Sequence, residues 1–472
     1  MQHDPVVNSA EKLPFSGLSA ASCALISVNT MMGPGLLAIP ESFQLGGWFP
    51  NVVAIFLGAL ITADVAVLLG EAITLTSKKA TRLHKYGTVP LADANGDGEE
   101  LDSDHQDKDT WEFGSLSRHY GGEKLGYISD LLLGLSLLAL ACAQIIVTAQ
   151  AMDGLIVWLH GKTYAYAPWS GSNGVLSSDV LSVMPFPKNT IGISAGFLVD
   201  AVICITLGFL PLADNVIPQY VFFALFNFAL IVLMWHFINP HYDPMIFNDN
   251  RTPIVGHSMN GVVGVVIFNY AYIVAVPVLR SDAHPRSSFS CSMRVAVAYM
   301  AVMYFIFGLC GSFAFKAVNE NLLVSVLRDG VPVISKLAVF ALSFALQPSI
   351  PVYVILLSRS MAELGIRSPV FWANFIPWSL AACAYMQSWF LAIVNWSGLL
   401  VLGFMNYSIP LALVILAVDS NKVSKDGETG FLELLWIACN SSGRMRRAGI
   451  YFVLMNTLIC WCIFWNLESI AS

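Results

Sequence analysis

Apolar residues along this chain gather into stretches of about 20, parted by polar interruptions. Folded as helix, such a stretch spans a hydrocarbon core about 30 Å thick. Eleven qualify, at 18–40, 50–76, 125–159, 191–212, 218–239, 256–280, 292–316, 331–358, 369–389, 391–418 and 448–467. The pattern predicts eleven membrane-spanning helices after a polar tail, 1–17. One interruption is long, an acidic loop at 77–124.

Composition agrees. Of 472 residues, 56% are hydrophobic and 12% charged, whereas a soluble protein carries about a quarter charged residues. The polar first fifteen residues precede no short apolar core with a small-residue cleavage site, so the first stretch is expected to remain as a span. Nine cysteines lie mostly inside apolar stretches without metal-ligand spacing and are expected as small buried side chains. The acidic loop holds ten Asp and Glu against seven Lys and Arg and so supplies 3 of the net charge of -7.

The distribution of positive charge gives an orientation. Eighteen of the 24 Lys and Arg fall on the N-terminal side of the predicted spans, seven of them between Lys78 and Lys124. The other six, Lys162, Lys188, Arg251, Lys316, Arg328 and Lys336, fall on the opposite side or at helix ends there. Cytoplasmic loops carry such an excess. The N-terminus is therefore expected in the cytoplasm and the C-terminus outside, since a missed or extra span would swap loops between sides.

The first stretch contains an anomaly, "ISVNTMMGPGLLAIP" at Ile26 to Pro40. Continuous helix is costly through Gly33-Pro34-Gly35, because proline lacks an amide and pushes its predecessor out of the α region. A helix broken inside hydrocarbon must be buried in protein and line a cavity. Transporters use that arrangement, offering helix-terminal N–H groups to a substrate carboxylate and freed carbonyls to a small cation. Pro34 has no N–H, which leaves Gly35 and Leu36 as donors. The competing reading is a packing kink, since small residues also let helices approach closely.

The surrounding residues bear on that choice. "NTMMGPGLLAIPESFQLGGW" resembles the first-helix signature of the amino acid/auxin permease family, with Asn29, Gly33, Gly35, Leu36, Leu37, Pro40, Gly46 and Gly47 at the matching places. "FNYAYIVAVPVLR" (Phe268 to Arg280) is similar to the family's broken sixth helix, with Tyr272 five residues before Pro277. "GLCGSFAF" resembles its seventh helix, and "LSFALQPSIPVYVILLSR" its eighth. The likeness is to the sodium-coupled neutral amino acid and vacuolar amino acid transporter branches.

What the resemblance implies is an all-α polytopic fold of the LeuT-like kind. Two inverted five-helix repeats would occupy about 18–239 and 256–418 of a transporter domain at 18–467, with an extra C-terminal helix at 448–467. The implied function is secondary active amino acid transport by symport with sodium or protons. Gly33, Gly35 and Leu36 would face the substrate carboxylate, and Asn269 and Tyr272 would line the opposite wall. Asn29, with a hydroxyl from Ser343 or Ser349, would hold the coupling ion, which makes Asn29 a possible Na+ ligand. For Asn29 the alternative is an interhelical hydrogen bond that holds helix 1 in place. Neutral side chains are favoured as substrates because helices 1, 3 and 6 present no obvious buried charge; Gln144 offers only hydrogen bonds.

Other polar residues carry weaker expectations. Asp64 and Glu71 share a helix face and suggest a proton relay or interfacial acids. Asp153 and Asp200, near outer helix ends, are expected as exposed or capping residues. "DANGDGEELDSD" (93–104) nearly matches a calcium loop but has Asp at position 12, so a solvated acidic linker is favoured. Asn250-Arg251-Thr252 is the one acceptor sequon in an outer loop. No enzyme constellation is visible. The rival reading is a transporter-like amino acid sensor that signals through a cytoplasmic partner. No cofactor beyond the coupling ion is expected, the partners are the amino acid and membrane lipid but no nucleic acid, and the chain reads as a monomer. A plasma membrane and a vacuolar or lysosomal membrane fit equally.

Overall fold

Glycine and proline decide where the first span stops being a helix. In the computed structural model, α1 (Ala20–Met31) starts at Ser19, whose hydroxyl oxygen accepts from Ser22 N at 3.1 Å. The chain leaves helical geometry at Met32 and is extended at Gly33 (φ -97°, ψ 174°). Pro34 then opens a 3-10 turn, Pro34–Ala38, where its missing N–H has no intrahelical acceptor to lose. The turn leads into α2 (Ile39–Gly46), with Pro40 in its first turn, and the two parts of the span are bent by 48°.

The structure describes residues 18–87, 113–168, 174–182, 184–187, 191–209, 216–238, 252–284, 287–315, 322–327, 332–385, 390–419, 431–441 and 443–471. The tail at 1–17, the calcium-like segment at 93–104 and Asn250 of the sequon lie outside these residues.

The same order of events recurs in the sixth stretch. α7 (Asn260–Asn269) ends in a turn at 270–272, followed by a 3-10 turn, Ile273–Ala275, and α8 (Val276–Asp282) with Pro277 in its first turn. This interruption bends the span less than the first does. The two broken spans run antiparallel and are joined at both ends. At one end Leu18 N donates to Asp282 O (2.8 Å) and His284 N to Leu18 O (2.9 Å). At the other, Gly256 N donates to Gly46 O (3.0 Å) and Ser258 N to Leu45 O (3.1 Å). A Cβ on Gly256 would lie 2.0 Å from Leu45 O, so the second junction requires glycine.

Around this pair stand α3 (Trp48–Gly87), α4 (Phe113–His160, kinked at Gly122), α5 (Ala195–Gly208), α6 (Val216–Ile238), α9 (Phe289–Ala314) and the short α10 (Leu322–Val326). The chain continues through α11 (Val333–Leu346), α12 (Ser349–Glu363), α13 (Pro369–Ala384), α14 (Phe390–Ser397), α15 (Ile409–Asp419), α16 (Phe431–Asn440) and α17 (Arg444–Ala471). Gln347 and Pro348 part α11 from α12, and two π-helical turns, Gly398–Leu402 and Phe404–Ser408, join α14 to α15. α9 packs on α1 and α2. Its two glycines explain the fit: a Cβ at Gly308 would stand 2.5 Å from Ile39 Cγ2, and one at Gly311 2.9 Å from Pro40 Cγ.

Each of the eleven expected stretches contains helix. Among the described residues, eight helical stretches are long and apolar enough to cross a membrane, and the bent pair α1–α2 makes a ninth. The other two hold α5 and α13, which have 14 and 16 residues and are shorter than a typical span. α5 starts late because Ile193 and Ser194 belong to a strand. They form β3 of an antiparallel sheet ordered β2-β1-β3, with β1 at Thr163–Tyr166 and β2 at Val175–Ser178; Tyr164 pairs with Ser177 and Tyr166 with Ile193.

Candidate functional site

Breaking α1 leaves backbone groups that a continuous helix would have paired. Three carbonyls at the break receive specific donors. Tyr304 of α9 places its hydroxyl 2.5 Å from Met31 O and 2.8 Å from Asn269 O, so one proton is shared between the ends of α1 and α7. Tyr353 of α12 donates to Thr30 O at 2.9 Å. Gly33 O accepts from Leu36 N at 3.2 Å. That last bond engages one of the two expected amide donors, which leaves Gly35 N–H as the donor for a ligand at this break.

The opposing wall comes from the sixth span. A Cβ built on Gly35 would lie 2.8 Å from Asn269 Nδ2 and from Phe268 Cδ1, and 2.9 Å from Asn269 Oδ1. Gly35 and Asn269 therefore pack against each other across the two breaks. Asn269 Nδ2 donates to Val265 O at 2.8 Å, while its Oδ1 has no hydrogen-bond partner. Tyr272 is fully buried, and its hydroxyl is also without a partner. Gln144 of α4 donates to Leu346 O at 2.7 Å and leaves its Oε1 free. A buried polar atom left unmet costs about 1–3 kcal/mol, and Asn269, Tyr272 and Gln144 each leave one such atom. Gly33, Leu36 and their neighbours are also buried, and the only charge-bearing groups of the two breaks are backbone dipoles.

The expected ion ligands are less closely joined. Asn29 Nδ2 donates to both Gln219 O (3.1 Å) and Gln219 Oε1 on α6, the interhelical bond of the alternative reading, while Asn29 Oδ1 remains unpartnered. Ser343 donates to Val339 O (2.9 Å) and Ser349 to Leu346 O (2.7 Å), each within its own span. Among the described residues no hydrogen bond links Asn29 to either serine. Ser343 instead lines a narrow crevice between α4 and α11, together with Thr148 and Gln347.

Four carboxylates behave differently from their sequence context. Asp64 lies 2.9 Å from Arg447 and 4.0 Å from Arg294, with Tyr451 also donating to it, and Glu71 lies 3.1 Å from Arg444. These are ion pairs with α9 and α17. Asp153 and Asp200 are both fully buried, which corrects their expected exposure. Asp153 does cap a helix, accepting from Gly196 N at the start of α5 (2.9 Å), and it also receives Thr163, Ser194 and Tyr385 hydroxyls. Asp200 receives Thr148, Gln347 and Cys204. Cys204 is four residues on along the same helix, but Thr148 and Gln347 lie on α4 and in the α11–α12 break, more than 50 residues away in sequence, and no local signal announces them.

A family model described as transmembrane amino acid transporter protein matches residues 16–401. No curated protein matches the sequence. Among solved structures, a manganese transporter of Eremococcus coleocola in complex with an aromatic bis-isothiourea substituted compound is similar at a TM-score of 0.49, with 13% identity and 94% of each chain covered. A point mutant of the same transporter gives a TM-score of 0.49, with 12% identity over 97% of each chain.

Proposed function

Since the chain belongs to the family of transmembrane amino acid transporter proteins, we propose that it is a secondary active transporter of amino acids with neutral side chains, driven by symport of sodium or protons. The observation that carries this reading is the meeting of two helix breaks at Gly35 and Asn269, with unpartnered buried polar atoms on Asn269, Tyr272 and Gln144 nearby. A zwitterion suits such a place: its carboxylate takes the free N–H of Gly35 and the positive end of α2, and its ammonium takes carbonyl and amide oxygens, Asn269 Oδ1 among them. The absence of ion pairs at the breaks, among the described residues, favours an uncharged side chain.

Two further elements belong to the proposal. The repeated order of helix, 3-10 turn and proline-opened helix in α1–α2 and α7–α8, laid antiparallel, supports two inverted repeats, with α5 and α13 completing eleven spans. The N-terminus faces the cytoplasm in this arrangement, on the strength of the Lys and Arg distribution. For the coupling ion, Asn29 Oδ1 is the free oxygen nearest in sequence to the first break, and Ser343 or Ser349 would have to turn its hydroxyl from its own helix to join it.

Uptake by proteoliposomes tests the reading. A panel of labelled amino acids is presented with sodium and proton gradients imposed separately, for the wild type and for Asn29→Ala. Gradient-driven accumulation of neutral amino acids is expected, with loss of sodium stimulation in Asn29→Ala if sodium is the ion. Binding without accumulation under either gradient overturns transport in favour of a sensor.

A further inference from the structure

We propose that Asp200 is the site at which a coupling proton binds, and that Gln347 passes its protonation to the helix break. The inference rests on reading the chain as an ion-coupled transporter and names the ion and its seat within that reading.

Asp200 sits on α5, six residues past the N-cap Ser194, and is fully buried. A carboxylate inside a membrane protein is expensive and functional by default unless a cation meets it. Among the described residues no Lys, Arg or His pairs with Asp200. Its own helix supplies Cys204, whose thiol donates at 3.7 Å. From α4 comes the Thr148 hydroxyl at 2.6 Å, and from the α11–α12 break the Gln347 amide at 2.6 Å. Of the other titratable groups on the packed elements, Asp153 is engaged with the sheet and α5, Tyr385 with Asp153, Tyr353 with Thr30 O, Cys142 with Pro377 O, and Arg118 with Asp130 and Glu363.

The partners are arranged for a proton rather than a metal cation. All three present hydrogens to the carboxylate, whereas sodium needs converging oxygens. Thr148 Oγ1 also stands 3.0 Å from Gln144 O and 3.3 Å from Ile145 O. When Oδ2 takes up a proton it becomes a donor. The Thr148 hydroxyl then accepts from it and turns its own hydrogen to the Gln144 carbonyl, so both states are fully bonded. The narrow crevice between α4 and α11 is lined by Thr148 and Gln347, two of the three donors to the carboxylate.

The link to the substrate site is short. Gln347 is the first residue past α11, at the break before α12, and α12 carries the Tyr353 hydroxyl that holds Thr30 O at the end of α1. Neutralising Asp200 weakens a charge-assisted bond to Gln347 and so loosens the grip of α12 on the first break.

The test uses the full chain in proteoliposomes, with a neutral amino acid and three measurements: accumulation under an inward proton gradient, accumulation under a sodium gradient, and counterflow exchange without either. The wild type is expected to accumulate substrate under the proton gradient. Asp200→Asn is expected to lose at least tenfold of that accumulation while keeping counterflow. Thr148→Val, which keeps the carboxylate and removes one partner, is expected to move the midpoint of the uptake pH profile by about one unit; it carries the test if Asp200→Asn fails to fold. Proton-driven accumulation by Asp200→Asn at the wild-type level, accumulation by the wild type under sodium alone, or an unmoved midpoint in Thr148→Val overturns the assignment. Wild-type protein with no counterflow of any amino acid overturns the transporter reading itself, and the proton site with it.

Discussion

Gly35→Ala should separate a working break from a packing kink. The added Cβ would sit 2.8 Å from Asn269 Nδ2 and Phe268 Cδ1 and 2.9 Å from Asn269 Oδ1, where ordinary contacts begin at 3.4 Å. Both neighbours have to retreat by several tenths of an ångström, and both are buried, Phe268 at 2% and Asn269 at 3% exposure. Overpacking of this kind costs about 1–3 kcal/mol, or roughly five- to 150-fold in an equilibrium at 1.4 kcal/mol per decade. Gly33→Ala is the internal comparison. Its Cβ would meet nothing nearer than Met31 O at 3.9 Å, and the φ of -97° suits any residue. Initial rates of uptake, normalised to folded protein in the liposome, should fall tenfold or more for Gly35→Ala and less than tenfold for Gly33→Ala. In Gly35→Ala/Asn269→Ala the overlap is relieved, so thermal stability should recover while uptake does not. Wild-type uptake by Gly35→Ala, or equal loss in the two single variants, would refute the assignment of Gly35 to the substrate wall.

Two more outcomes can be stated. Tyr304→Phe removes the hydroxyl that serves Met31 O and Asn269 O; it should lower stability by about 1–3 kcal/mol and raise the KM for uptake, so an unchanged melting temperature together with an unchanged KM would exclude its role as a clamp. Asp64→Asn should leave the pH profile of uptake in place, because Asp64 is held in ion pairs with Arg447 and Arg294; a displaced profile would reinstate the proton relay.

The breaks could be read from sequence because glycine and proline act on their own backbone. Gly33-Pro34-Gly35 and Pro277 needed no distant partner to announce themselves, and each of the eleven apolar stretches holds helix for a similarly local reason. Polar side chains were harder to read wherever their role depends on residues far away in the chain. Asp153 and Asp200 look interfacial in sequence, near the ends of their stretches, yet Thr163, Ser194 and Tyr385 enclose one, and Thr148 and Gln347 the other. Tyr304 lies unremarked in an apolar stretch, although a buried tyrosine must find a partner for its hydroxyl. The sheet at 163–194 escaped notice because its strands are two to four residues long.

Antiparallel rods fastened at both tips, as α1–α2 and α7–α8 are through Leu18 with Asp282 and Gly46 with Gly256, cannot splay apart while those fastenings hold. They have to travel as one piece. Under the transport reading proposed above, access from alternate faces would fall to the surrounding scaffold tilting about this central spindle.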